Sequence, residues 1–227
     1  MIEQILHAVS VWAIPLLLAI TLHEAAHGFA AYWFGDDTAR RLGRMSLNPF
    51  RHIDAFGTVL MPALLLLAKA PFLFGYAKPV PVNFARLNHP RRDMVWVALA
   101  GPSMNMALAV VAALLYHGIG ELPPGVADWA AANLRNTLHI NVLLAVFNML
   151  PIPPLDGGRV AVGLLPDRLA FPLARLERAG IFIVLGVLFL VPMLGNLIGL
   201  ELDLFKWLIG RPTLAIIDLI ASLTGHG

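Results

Sequence analysis

The sequence contains no cysteine, so neither a disulfide nor a thiolate-based metal site is open to it. Charge is scarce as well. Asp, Glu, Lys and Arg make up 13% of the 227 residues, against roughly 25% in a soluble domain. The formal net charge is only +2, too small to hold a phosphate backbone, and no nucleic-acid partner is expected. Internal repeats, low-complexity tails and Ser/Gly-rich linkers are all missing, so nothing divides the chain. What remains is apolar: 59% of residues are hydrophobic and mean hydropathy is +0.76. That composition belongs to an integral membrane protein whose solvent is the lipid bilayer. The length predicts one membrane-embedded domain over residues 1–227. A cleavable signal peptide is not expected, because Glu3 stands where a basic n-region would be and the apolar run is too long.

A membrane helix needs roughly 20 apolar residues. Segments 5–34, 94–116 and 180–200 meet this, and 134–155 does so up to Leu150, before Pro151, Pro153 and Pro154 break it. Segments 55–74 and 202–223 are interrupted by prolines and charges and read as spans, a re-entrant hairpin or an interfacial helix. The predicted fold is therefore an all-α polytopic membrane protein with about five to six transmembrane or re-entrant segments. A short β-strand or hairpin element is expected near residues 76–84, where Pro79-Val80-Pro81-Val82 alternates. The prolines would silence one edge of such a strand and leave the other able to pair with an extended peptide. Basic residues crowd 35–54, 78–92 and 156–178, while 117–133 carries Glu121 and Asp128 and no Lys or Arg. By the positive-inside rule the first three face the cytoplasm.

Against this background the stretch Thr21-Leu22-His23-Glu24-Ala25-Ala26-His27 stands out. Between Ile5 and Phe34 the only other acidic, basic or histidine side chain is His7. A charge at the centre of a membrane helix costs at least about 2.5–3.5 kcal/mol, so its presence calls for a function. His23 and His27 are four residues apart and lie on one face of a helix. That spacing suits two ligands of one zinc, with Glu24 placed to act on a water beside the metal. A catalytic zinc needs a third ligand from elsewhere in the chain. Asp156, His139, His52 and Asp54 are the candidates, and Asp156 is favoured because it follows the proline-broken helix and precedes Gly157-Gly158.

Three stretches together, His23-Glu24-Ala25-Ala26-His27, Ala100-Gly101-Pro102-Ser103-Met104-Asn105 and Asn148-Met149-Leu150-Pro151-Ile152-Pro153-Pro154-Leu155-Asp156-Gly157-Gly158-Arg159, resemble the site-2 proteases. Those are intramembrane zinc metalloproteases, and the resemblance spans roughly residues 15–165. It is to the compact form without PDZ or CBS domains, with 179–227 forming additional C-terminal helices. The resemblance implies that His23, His27 and Asp156 bind one zinc ion per chain and that Glu24 is the catalytic base. It also implies that Asn148 lies near the site and helps hold substrate or the oxyanion. Asn105 is expected to brace the site, and His52 with Asp54 to orient a ligand histidine from behind. Gly101 and Pro102 read as small residues that let helices approach. His139 and Asn141 read as packing hydrogen-bonders.

The function expected is zinc-dependent hydrolysis of peptide bonds in membrane-protein or transmembrane-peptide substrates, within or near the bilayer. The location expected is a prokaryotic plasma membrane, with the site in its cytoplasmic half. The rival reading is a non-catalytic metal-binding membrane protein or a transporter. Transporters show paired inverted repeats with broken helices in both halves, a pattern this sequence lacks.

Overall fold

The structure, a computed structural model, describes residues 2–52, 54–60, 64, 78–197 and 203–226. Its first element is the 32-residue helix α1, Ile2–Trp33, built from the apolar run read above. The helix ends because Gly35 adopts φ +105°, a conformation that costs a glycine little. The Asp36 N–H then turns back to the Ala31 carbonyl at 2.9 Å, and the Phe34 carbonyl accepts from the Asn88 N–H at 2.8 Å. A Cβ on Gly35 would stand 2.7 Å from Asn88 Oδ1, so the close approach of the two segments also requires glycine.

A short helix α2, Thr38–Arg41, follows. Helix α3, Pro90–Tyr116, begins beside the end of α1 and runs antiparallel to it. Helix α4, Pro124–Asn148, runs back alongside α1. Trp129 Nε1 donates to Ser10 Oγ at 3.0 Å, and Asn136 Nδ2 donates to the Val11 carbonyl at 2.8 Å. The faces these helices turn inward are small: Ala19, Ala25, Ala31, Ala98, Ala109, Ala112, Ala113, Ala131 and Ala145 are all buried. Small side chains let backbones approach closely, which is how helices associate without a hydrophobic driving force.

After α4 the prolines interrupt the helix, as expected. Helix α5, Asp156–Leu164, then begins at the aspartate itself, and α6 covers Asp167–Arg175. A Cβ on Gly157 would lie 2.2 Å from the Met149 carbonyl oxygen, and one on Gly158 2.2 Å from the Pro153 nitrogen. The two glycines thus press the start of α5 against the proline segment, backbone on backbone. Arg91 ties α3 to this region. It donates to Asp167 at 2.6 Å, to the Gly163 carbonyl at 3.1 Å and to the Leu165 carbonyl.

Helices α7, Gly180–Leu185, and α8, Val191–Leu197, are joined by a π-helical turn at Gly186–Leu190. A π-helical turn at Lys206–Gly210 leads into α9, Arg211–Leu223. Ile220 on α9 packs with Ala109, Ala113 and Val142, so this last helix joins the α3–α4 core.

The all-helical expectation holds. Leu6–Trp33 and Pro90–Glu121 are long and apolar enough to cross a membrane, and a third span results if Asp167–Arg178 and Phe182–Gly195, bent by 85°, count together. Leu6, Val9, Trp12, Ile14, Leu16 and Leu18 are all exposed on α1, apolar surface of the kind that lipid covers. Helix α4 starts ten residues before the 134–155 segment expected from hydropathy. Pro124 opens it at the first turn, where a missing N–H is harmless. Its polar residues, Asn133, Asn136, Thr137, His139 and Asn141, keep it below the apolarity of a free-standing span. Most of 55–74, with residues 76 and 77 of the β element, lies outside the described residues. Among the described residues no strand occurs: 78–83 is extended but irregular and leads into a 3-10 turn at Phe84–Arg86.

Candidate metal centre

On α1, His23 and His27 are both 7% exposed and their rings meet edge to face, 4.7 Å between centroids. Asp156, 4% exposed at the start of α5, comes up beneath them. His23 Nε2 and His27 Nε2 are 3.1 Å apart, and Asp156 Oδ2 is 3.2 Å from each. Three ligand atoms, two from α1 and one from α5, thus form a nearly equilateral triangle. Among the described residues this is the one cluster of three metal-ligating side chains.

The hydrogen bonds behind the rings decide what the triangle can hold. His27 Nδ1 lies 2.7 Å from the Val97 carbonyl. A carbonyl only accepts, so Nδ1 carries the proton and Nε2 presents a lone pair. His23 Nδ1 lies 2.5 Å from Asn105 Oδ1, which gives the same tautomer. Two lone pairs and a carboxylate oxygen therefore converge, and Asp156 Oδ2 has no hydrogen-bond donor of its own among the described residues. Such a donor set repels itself unless a cation sits among it. The spacing is close to the roughly 3.3 Å ligand–ligand edge of a tetrahedron with bonds of about 2.0–2.1 Å. The residues present fit zinc.

Gly101 on α3 completes the cradle. A Cβ there would lie 2.4 Å from His27 Nε2 and 2.6 Å from His23 Nε2. Its smallness admits the imidazoles rather than a neighbouring helix backbone, a more specific role than the general packing read from the sequence. Asn105, fully buried, also donates from Nδ2 to the Ala19 carbonyl at 3.2 Å and to Asn141 Oδ1 at 2.7 Å. It stands behind His23, where the sequence expected a brace.

Glu24 stands outside the triangle. Its Oε2 accepts the Val80 N–H at 2.7 Å. Val80 reaches it because Gly28, one turn further along the same face of α1, lets the segment lie close: a Cβ on Gly28 would be 3.0 Å from Val80 Cγ1. The edge of 78–83 that the sequence read as open is thereby occupied in part. Lys78 N–H donates to the His52 carbonyl at 2.9 Å and Val80 N–H to Glu24. The reason is that both acceptors face the edge that Pro79 and Pro81 do not silence.

The far end of this segment is held by Asp36, which is fully buried. Its carboxylate accepts the Asn83 N–H at 2.6 Å, the Thr38 N–H at 3.0 Å and the Thr38 hydroxyl. Burial alone would raise its pKa, but these hydrogen bonds and the nearby Arg86 outweigh burial and hold it below the ordinary 3.8. Asp36 carries no motif signal in the sequence.

The other expected site residues have hydrogen-bond partners of their own. His52 is buried, and its Nε2 lies 2.8 Å from the Ser46 carbonyl. The Nδ1 atoms of His23 and His27 are served by Asn105 and Val97 instead. Asp54 Oδ1 accepts the Phe56 and Gly57 N–H groups at 3.1 and 2.7 Å, capping the turn that follows. Asn148 is half-buried and donates to the Leu144 carbonyl of its own helix at 3.0 Å. His139 is exposed.

Comparison with known proteins agrees with this chemistry. Residues 118–192 match the family described as Peptidase family M50. The chain is 39% identical over 184 residues to the protein named "Putative zinc metalloprotease YwhC" of Bacillus subtilis, covering 79% of this chain and 80% of that one. It is 30% identical over 181 residues to "Putative zinc metalloprotease Rip2" of Mycolicibacterium smegmatis, covering 79% of this chain and 66% of that one. No solved structure matches the chain. With a ligand triangle shaped for zinc and a relative this similar over most of both sequences, the chain belongs to peptidase family M50, the site-2 proteases, which are intramembrane zinc metalloproteases.

Proposed function

We propose that His23, His27 and Asp156 hold the zinc of an endopeptidase that cuts membrane-protein substrates within or near the bilayer, with Glu24 as its base. The observation that carries this is the convergence of two imidazole lone pairs and one carboxylate oxygen within 3.1–3.2 Å, buried among apolar helices. Zinc held there supplies Lewis acidity to a scissile carbonyl and to an attacking water. The protein does the rest. Val97 and Asn105 keep both rings in the ligating tautomer. Glu24, adjacent to His23 and outside the ligand set, takes the proton of the water and delivers it to the leaving amine. Asn148, on the last turn of α4 before the proline segment, is the side chain we assign to substrate or oxyanion contact. His52 holds the Lys78 end of the 78–83 segment through its carbonyl, and Asp54 caps the turn beyond it.

A substrate helix hides its peptide bonds in its own hydrogen bonds and must unwind to be attacked. The irregular 78–83 segment, bonded to Glu24, lies beside the reacting groups and is where an unwound stretch would come to rest. The site opens to the cytoplasm in this reading. His23 and His27 lie toward the C-terminal end of α1, the end that meets the basic segments 35–54 and 78–92, and these face inward at a plasma membrane. Residues 1–227 act as one membrane-embedded unit of five to six spanning or re-entrant segments.

The test uses Glu24→Gln protein reconstituted in vesicles with a transmembrane peptide substrate. Hydrolysis is expected to collapse while zinc stays bound. Retained cleavage with normal zinc content would remove Glu24 from the mechanism.

A further inference from the structure

Among the described residues Asn141 makes no hydrogen bond to a member of the ligand triangle, and its place on α4 marked it in the sequence only as a packing residue. It is nevertheless fully buried and joined to His23 through Asn105. An imidazole offers Nε2 to a metal only when Nδ1 carries the proton. Asn105 can enforce this with its oxygen toward the ring, or forbid it with its NH2 group there, since the amide fits either way round.

The neighbours remove the ambiguity. Asn141 Nδ2 lies 2.8 Å from the Thr137 carbonyl, one turn back on α4. That carbonyl only accepts, so Asn141 must donate to it and turn Oδ1 toward Asn105. Asn105 then donates from Nδ2 to Asn141 at 2.7 Å, with the Ala19 carbonyl as a longer second acceptor at 3.2 Å. Its Oδ1 is left facing His23 Nδ1. The order runs Thr137 carbonyl, Asn141, Asn105, His23, with the Ala19 carbonyl, which likewise only accepts, as a second and longer anchor for the same Asn105 amide. His27 needs no such relay, because the Val97 carbonyl sets its tautomer directly.

We propose that Asn141 is a positioning residue for metal ligation. Through Asn105 it sets the His23 tautomer and makes one of the two zinc-binding histidines depend on the docking of α4. This rests on the metal-centre reading above and extends it to a fourth helix, beyond α1, α3 and α5. It acts at a distance, so no part of Asn141 need touch substrate.

The experiment compares purified full-length wild type with Asn141→Leu, Asn141→Asp and Asn133→Leu in detergent. Zinc affinity is measured by chelator competition, and the His23 tautomer by 15N spectra of zinc-free protein labelled at histidine. Asn141→Leu removes both the acceptor and the donor and is expected to weaken zinc binding roughly 10–100-fold, with His23 divided between tautomers. In Asn141→Asp a protonated carboxyl donates to the Thr137 carbonyl and accepts from Asn105, so affinity returns to within a few-fold of wild type. Asn133→Leu removes a buried amide of the same helix outside the relay and should leave both readouts unchanged. Wild-type affinity in Asn141→Leu would overturn the proposal. So would equal losses in Asn141→Leu and Asn133→Leu, or failure of Asn141→Asp to recover. A wild type that binds no zinc would instead defeat the metal-centre reading, while the tautomer spectra would still decide the relay.

Discussion

Gly101→Ala adds a single methyl group to α3, and its effect can be worked out from the cradle. The new carbon would lie 2.4 Å from His27 Nε2 and 2.6 Å from His23 Nε2. A carbon and a nitrogen that do not bond need about 3.4 Å, so the rings or the helix must give way by roughly 1 Å. Metal–ligand distances hold to within about 0.2 Å, and a misplacement of about 1 Å in a catalytic group costs on the order of 100-fold in rate. Helix stability works the other way, since alanine is favoured over glycine by about 1 kcal/mol in a helix interior. The variant is therefore expected to remain helical by circular dichroism. Its zinc affinity should fall at least 10-fold in chelator competition, and hydrolysis of a transmembrane peptide at least 100-fold. Wild-type zinc affinity and wild-type cleavage in Gly101→Ala would refute the cradle.

Val80→Pro deletes the N–H that holds Glu24. A hydrogen bond to a charged group is worth about 1.5–3 kcal/mol, so kcat should fall roughly 10-fold or more with zinc content unchanged, and an unaltered rate would release Glu24 from that contact. Asp36→Ala removes the acceptor that ties the end of α1 to Asn83 and should lower stability by about 1.5–3 kcal/mol at neutral pH, read from thermal unfolding in detergent. Because the folded Asp36 has its pKa below 3.8, its contribution is present above that value and is lost as pH falls through the folded pKa. The gap between wild type and Asp36→Ala should therefore shrink in acid; a gap that widened would reverse the sign of the argument.

Features carried by local spacing were legible in the sequence. His23 and His27 could be paired because four residues on a helix return to the same face, and Asp156 could be singled out because prolines break an apolar helix just before it. The fold class followed from scarce charge and long apolar runs. The start of α4 was not legible from hydropathy, because residues 124–133 are helical without being apolar and Pro124 is a helix opener rather than a breaker there. Proline alternation at 79–82 correctly marked one edge as silent, yet could not say that Glu24 and the His52 carbonyl would occupy donors on the other. The roles of Gly101, Asn141 and Asp36 depend on which helices meet, a long-range fact with no local signature. Gly101 had a motif signal but no partner; Asp36 had neither.

The central claim is that His23, His27 and Asp156 together hold one zinc ion that Glu24 does not ligate. Metal analysis of purified wild type beside His23→Ala, Asp156→Ala and Glu24→Gln tests it most directly. The account predicts one zinc per chain in wild type and Glu24→Gln, and little or none in the other two. Full zinc occupancy in Asp156→Ala, or its loss in Glu24→Gln, would contradict it.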